Sequence, residues 1–143
     1  MGIIRLDRKI YDEMVKNAAS RLPEEACGLI AGVEENGEKT VKKLYCLTNT
    51  DHADDHFTLD PREQLDAVKD MRNNGLKPLG NWHSHPESPS RPSAEDIRLS
   101  FDPTASYLIL SLMAEYPVLN SFHVEKGEVT KEDLRIYSDK YYF

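Results

Sequence analysis

The stretch NWHSHPESPSRPSAEDIRLS, residues 81–100, sets two of the chain's five histidines one residue apart, runs through a loop with three prolines, and then places a serine three positions before an aspartate. If residues 80–85 form a strand, His83 and His85 project from the same face, because side chains alternate with a period of two. One metal ion can then be held by both imidazoles. A bare H-x-H more often marks two surface histidines, or one packed on the core, so the pair alone decides little. Ser93 to Asp96 has the S-x-x-D form of a capping box that opens a helix. That reading stands by itself, and it also puts Asp96 in the first helical turn, where the helix dipole favours the ionised carboxylate. Two neutral imidazoles and a carboxylate give zinc three protein ligands and leave its fourth position open, as in catalytic sites. The intervening PESPSRP is a stiff connector, since each proline restricts its own torsion and that of the residue before it.

Outward from this stretch the chain alternates strands and helices. IIRL (Ile3 to Leu6) reads as a strand, with Asp7 as the N-cap of a helix in which Ile10, Met14 or Val15, Ala18 and Leu22 recur at helical spacing before Pro23. ACGLIAGV (Ala26 to Val33) is an apolar run of strand length, and Asn36-Gly37 turns it into a second strand, TVKKLYCLT. Asp60, Pro61 and Glu63 give an N-cap, a first-turn proline and a capping-box acid for a helix with the stripe Leu65, Val68 and Met71. KPLGNWHSH and SYLILSLM return as strands, the latter apolar enough for the centre of a sheet. LNSFHVEKGEVTKEDLRIY reads as two final strands about a turn at Lys126 and Gly127. The expected class is α/β or α+β, with a mixed central sheet flanked by helices.

With 143 residues, 39% of them hydrophobic and 30% charged, one globular domain over residues 1–143 is expected. No apolar run approaches the ~20 residues of a membrane span, and the start of the chain shows no signal-peptide pattern. A cytoplasmic protein with no membrane association is therefore expected. A net charge of −7 opposes binding to nucleic acid. Cys27 and Cys46 form no C-x-x-C and read as small buried apolar residues. Hydrolysis at a metal also needs an acid elsewhere to move protons; Glu24 and Glu25, in LPEEACGLIAG, are the candidates beside a buried strand.

The run His83-Ser84-His85, seven residues from Pro86 to Pro92, then Ser93-Ala94-Glu95-Asp96, resembles the H-x-H-x7-S-x-x-D signature of the JAMM metalloproteases, the catalytic branch of the MPN-domain family. PEEACGLIAG resembles the same family's glutamate motif, P-x-E-x-C-G-L, and the order of elements follows the family over most of the chain. The resemblance implies an MPN, cytidine-deaminase-like fold, a Zn2+ cofactor held by His83, His85 and Asp96, Glu25 as general base, and Ser93 as a hydrogen-bond donor to the oxyanion; Glu24 falls on the variable position. It further implies a peptidase or isopeptidase acting on a protein or peptide substrate, such as the C-terminal tail of a ubiquitin-like or sulfur-carrier protein. There is little room for a ubiquitin-binding insertion, which points to the compact prokaryotic type.

Three rival readings stand beside this one. Two histidines and a carboxylate also serve non-haem iron enzymes, and an MPN chain can be a non-catalytic binding scaffold. DHADDH, Asp51 to His56, is a second group of ligand types that reads better as a polar rim loop. His123, Trp82 and the terminal aromatics Tyr137, Tyr141, Tyr142 and Phe143 read as structural, with Trp82 on the opposite strand face from His83.

Overall fold

A computed structural model describes residues 2–138. In chain order the elements are β1 (Ile3–Asp7), α1 (Arg8–Arg21), β2 (Cys27–Glu35), β3 (Glu38–Leu47), α2 (Pro61–Asn73), β4 (Lys77–His85), α3 (Ala94–Arg98), β5 (Ser106–Ser111), β6 (Val118–Glu125), β7 (Glu128–Lys131) and β8 (Asp133–Tyr137). The eight strands form one mixed sheet in the order β7-β6-β5-β4-β2-β3-β1-β8. The expected class is thus observed, and the H-x-H strand lies at its centre, antiparallel to β2 and parallel to β5.

Each helix covers one face. The α1 helix, capped by Asp7 through Lys9 N, buries Met14 and Ala18 against Ile4, Leu6, Ile30, Trp82, Leu108 and Leu110. Trp82 is therefore a core residue on the face away from His83. On the other face Ala67 and Met71 of α2 pack on Ala31, with Leu29, Tyr45 and Leu76 around them. Here the expected stripe is corrected: Leu65 is 52% exposed, because the contact surface follows Ala67 and Met71, four residues apart on one ridge. Glu63 also departs from its capping-box role, its carboxylate accepting from Thr48 N at 2.6 Å and Thr48 Oγ1 at 2.8 Å.

The C-terminal segment is the main correction. It forms three strands rather than two, and the third crosses to the opposite end of the strand order, where it pairs with β1 in parallel from Ile3↔Asp133 to Asp7↔Tyr137. Glu132 alone joins β7 to β8. Its N–H donates to Ser121 O on β6, and the next N–H, of Asp133, donates to Gly2 O, so the sheet curls until its two ends meet. The expectation for Tyr141, Tyr142 and Phe143 lies outside the described residues. No helix among the described residues is long and apolar enough to cross a membrane.

Candidate metal centre

His83 and His85 end β4 with their rings on the α2 face, both buried. Between them Ser84 faces the other way and ties β4 to the residue after Glu25: its Oγ accepts from Ala26 N at 2.8 Å, and its N–H donates to Ala26 O at 2.9 Å. This positioning role is invisible in the bare H-x-H pattern, where any residue fits the middle place.

The proline loop that follows is fastened to the neighbouring strands. Ser90 Oγ donates to Ile109 O at 2.6 Å, Ser111 Oγ to Ser88 O at 2.6 Å, and Asn120 Nδ2 to Ser90 O at 3.2 Å. It delivers α3 with its capping box formed: Asp96 N donates to Ser93 Oγ at 3.0 Å, and Ser93 N donates to Asp96 Oδ2 at 2.9 Å. That same Oδ2 lies 3.2 Å from His83 Nε2 and 3.2 Å from His85 Nε2, which are 3.1 Å from each other.

The chemistry of these three atoms calls for a cation. His85 Nδ1 is 2.9 Å from Pro89 O, a carbonyl that only accepts, so Nδ1 carries the proton and Nε2 of the neutral ring presents a lone pair. It faces a carboxylate oxygen and a second imidazole nitrogen. A tetrahedral zinc with bonds of ~2.0–2.1 Å spaces its ligands about 3.3 Å apart, close to this triangle. Among the described residues, His83, His85 and Asp96 form the group able to hold a metal ion, and no comparable group arises in residues 51–56. There His56 pairs with Asp55 at 2.8 Å, which raises its pKa, and His52 with Glu24 at 3.2 Å. Burial alone would raise the pKa of Asp96, but both histidines and Ser93 N–H hold it far below the usual carboxylate range. Burial pushes His83 down. It also pulls on His85, where Asp96 and the Pro89 carbonyl outweigh it and raise the pKa.

Glu25 lies just before β2, alongside β4. Burial drives its pKa from 4.5 up to about 8; His85 works against this, and Asp96 and Asp55 add to it. It is 4% exposed, and Oε1 has no hydrogen-bond partner among the described residues. The backbone holds it there, with Glu25 N donating to Ala53 O at 2.8 Å and Asn49 Nδ2 donating to Glu25 O at 3.1 Å. Glu24 instead turns to the rim, against His52. Two further positions of the PEEACGL run have physical roles. Cys27 is fully buried, and burial pushes its thiol up to about 12. At Gly28 a Cβ would fall 1.8 Å from Tyr45 O and 2.5 Å from Trp82 Nε1; the missing side chain leaves the path by which the indole N–H reaches Tyr45 O at 3.1 Å.

Residues 7–125 match the family model described as prokaryotic homologs of the JAB domain. The chain belongs to this family. The resemblance read from the motifs is thereby borne out. A CysO-cysteine peptidase of Mycobacterium tuberculosis is 30% identical over 135 residues, covering 94% of this chain and 90% of the relative. A desampylase of Haloferax volcanii is 34% identical over 98 residues, 67% of this chain and 68% of its own. A solution structure of a protein from Desulfitobacterium hafniense superposes with a TM-score of 0.88 at 49% identity, over 95% of this chain and 94% of that one.

Within this JAB domain the five residues singled out from sequence come from separate segments. The fold gathers His83, His85 and Asp96 within contact of one another, with Ser93 bonded to Asp96 and Glu25 near enough to His85 and Asp96 to exchange charge effects with both. Besides Ser84, sequence reasoning missed Phe57, whose ring stacks on His83 at 4.7 Å and 30°, and Asn49. The Asn49 amide bonds Glu25 O and His56 O while its Oδ1 accepts from Asp51 N and Thr58 N. The one available signal was Phe57 itself, a lone aromatic at the end of an otherwise polar run.

Proposed function

We propose that this JAB domain is a zinc-dependent peptidase or isopeptidase that hydrolyses an amide bond at the C-terminal tail of a ubiquitin-like or sulfur-carrier protein. The observation that carries the reading is the buried Glu25 carboxyl, its Oε1 without a hydrogen-bond partner among the described residues, beside three converging electron-rich atoms. The names of the relatives, a CysO-cysteine peptidase and a desampylase, support the substrate class.

His83 Nε2, His85 Nε2 and Asp96 Oδ2 would hold the ion. Zinc, when bound, supplies Lewis acidity and lowers the pKa of water to ~7. Glu25 takes the proton of the attacking water on its free Oε1 and hands it to the leaving amine, a proton transfer worth ~10²–10⁴ in rate. Among the described residues Ser93 Oγ accepts from Asp96 N and donates to none, so its own O–H is available to the carbonyl oxygen as that atom becomes negative; one such donor is worth ~10²–10³. Phe57 shields the outer face of His83 from water. His85 keeps its donor tautomer through Pro89 O and so presents Nε2 inward.

The test is metal analysis together with mass spectrometry of glycine-tailed ubiquitin-like conjugates after incubation with wild type and Glu25→Gln. Expected are one zinc per chain in both proteins, cleavage after the terminal glycine by wild type, and a rate lower by ~10² or more in the variant. Full activity in Glu25→Gln removes the base assignment. Iron with an oxygen-dependent product, in place of zinc and hydrolysis, favours the iron enzyme, and failure to bind metal favours the scaffold.

A further inference from the structure

A cleft opens at His83 and Asp96 alongside β4, flanked by Phe57 and Leu99 and floored by Asn81, Tyr107 and Ile109. Its floor follows from strand register. Asn81 pairs with Tyr107 and His83 with Ile109, so all four side chains share the face that carries the metal centre.

Most polar groups along this cleft are already committed. Tyr107 OH accepts from Asp102 N at 3.2 Å and lies 3.3 Å from Asp102 O, and Ser100 Oγ donates to Asp96 O at 2.6 Å. The exception is Asn81. It is half-buried on the floor, and its side-chain amide has no hydrogen-bond partner among the described residues. A primary amide offers two donors and an acceptor, the complement of a peptide group.

The position of Glu25 decides which part of a substrate enters. Cys27 pairs with His83 across the β2–β4 ladder, so Glu25, two residues earlier, lies beyond that level toward His85, on the β2 flank of β4. The cleft lies on the β5 flank and runs the opposite way. The leaving amine must receive its proton from Glu25 and therefore lies on that side; the acyl chain is the substituent directed away from it. Asn81 is two strand residues from His83, or about 6.6 Å, a distance an extended peptide covers in two residues.

We propose that Asn81 is a specificity-determining residue of this site: its amide pairs with the substrate's backbone about two residues before the scissile bond, holding an extended acyl chain in the cleft between Phe57 and Leu99. This rests on the peptidase reading above. An unpaired amide on an otherwise apolar floor discriminates by what it leaves unsatisfied. Substrates with a backbone N–H and C=O at that place are favoured, and those trimmed short of it gain nothing from Asn81.

The experiment uses zinc-loaded wild type, Asn81→Leu and Asn81→Ser with three substrates: a glycine-tailed conjugate, the same conjugate trimmed to one residue before the scissile bond, and one with an ester in place of the second peptide N–H. Expected is a tenfold or larger loss of kcat/KM, carried mainly by KM, for Asn81→Leu on the full tail. The trimmed substrate should show no change, and the ester substrate should lower wild type while leaving Asn81→Leu with little further loss. Asn81→Ser should recover part of the difference, and zinc content and melting temperature should match wild type in both variants. Equal losses on full and trimmed substrates, or no loss on either, overturn the assignment. Absence of cleavage of every conjugate by wild type instead overturns the peptidase reading and this inference with it.

Discussion

Glu25 is held in a place where its charge is disfavoured. Its pKa moves from 4.5 to about 8, chiefly through burial, so in the metal-free protein folding favours the protonated carboxyl. Any stability from this group is complete below the unfolded value of 4.5 and is lost progressively as pH rises through about 8. Glu25→Gln stays neutral at every pH. The metal-free variant is therefore expected to be clearly more stable than metal-free wild type at pH 9 and about equal to it at pH 4. Urea denaturation at the two pH values checks this; a pH-independent difference would mean that the carboxyl ionises freely in the fold. At this scale the sequence was informative about identity and poor on environment. Spacing pointed to His83, His85 and Asp96, whereas choosing Glu25 over Glu24 needed the motif resemblance, because adjacent carboxylates before a strand look alike until one is buried and the other pairs with His52. Ser84 and Asn49 were beyond reach for the same reason: their roles are bonds to backbone groups distant in sequence.

The elements show what local pattern can and cannot specify. The N-caps Asp7, Asp60 and Ser93, the Asn36-Gly37 hairpin and the central strands follow from turn chemistry and periodicity and appear, whereas the capping-box role of Glu63 does not. The β8 strand does not follow from local pattern, because TKEDL carries no glycine, proline or asparagine between β7 and β8 and its partner, β1, lies more than a hundred residues away. The expected stripe held at Met71 and failed at Leu65, because periodicity names a face without saying which neighbour it meets. Lys39 is a third case. It is buried on β3, and its ammonium donates to Leu79 O, Thr104 O and Ser106 Oγ at 2.7–3.2 Å, reaching past β2 to β4 and the start of β5. Gly28 gives the sharpest test at this scale. Gly28→Ala puts a methyl group 1.8 Å from a carbonyl oxygen that cannot move without breaking the β2–β3 ladder. A loss of at least about 1–3 kcal/mol is expected, together with a changed Trp82 fluorescence. An unperturbed midpoint and spectrum would show that the ladder yields there.

Across the whole molecule, the candidate ligands come from the end of a central strand and from a short helix held on a proline loop. A bound ion therefore ties α3 to β4. Removing it leaves α3 joined to the end of β4 only through the contacts of Asp96 Oδ2 with the two imidazoles, at 3.2 Å each. Ligand binding to the native state alone stabilises by about 2.7 kcal/mol at 100 times the dissociation constant, or roughly 5–10 °C in melting temperature for a chain of this size. Chelation is expected to lower the melting temperature by that order and added zinc to restore it, with magnesium ineffective. Scanning calorimetry decides; a transition indifferent to chelator and zinc would mean that the three side chains do not share an ion.

The curl of the sheet has a mechanical side. Because β1 and β8 run parallel as neighbours, tension between the two ends of the described chain pulls β1 from its start and β8 from its finish. The five paired positions from Ile3↔Asp133 to Asp7↔Tyr137 are then loaded in shear, all at once. A hairpin pulled from its open end would instead yield one rung at a time. Threading by an unfolding machine from either end of the described chain meets this clamp before it reaches β4, so the candidate metal centre lies behind it.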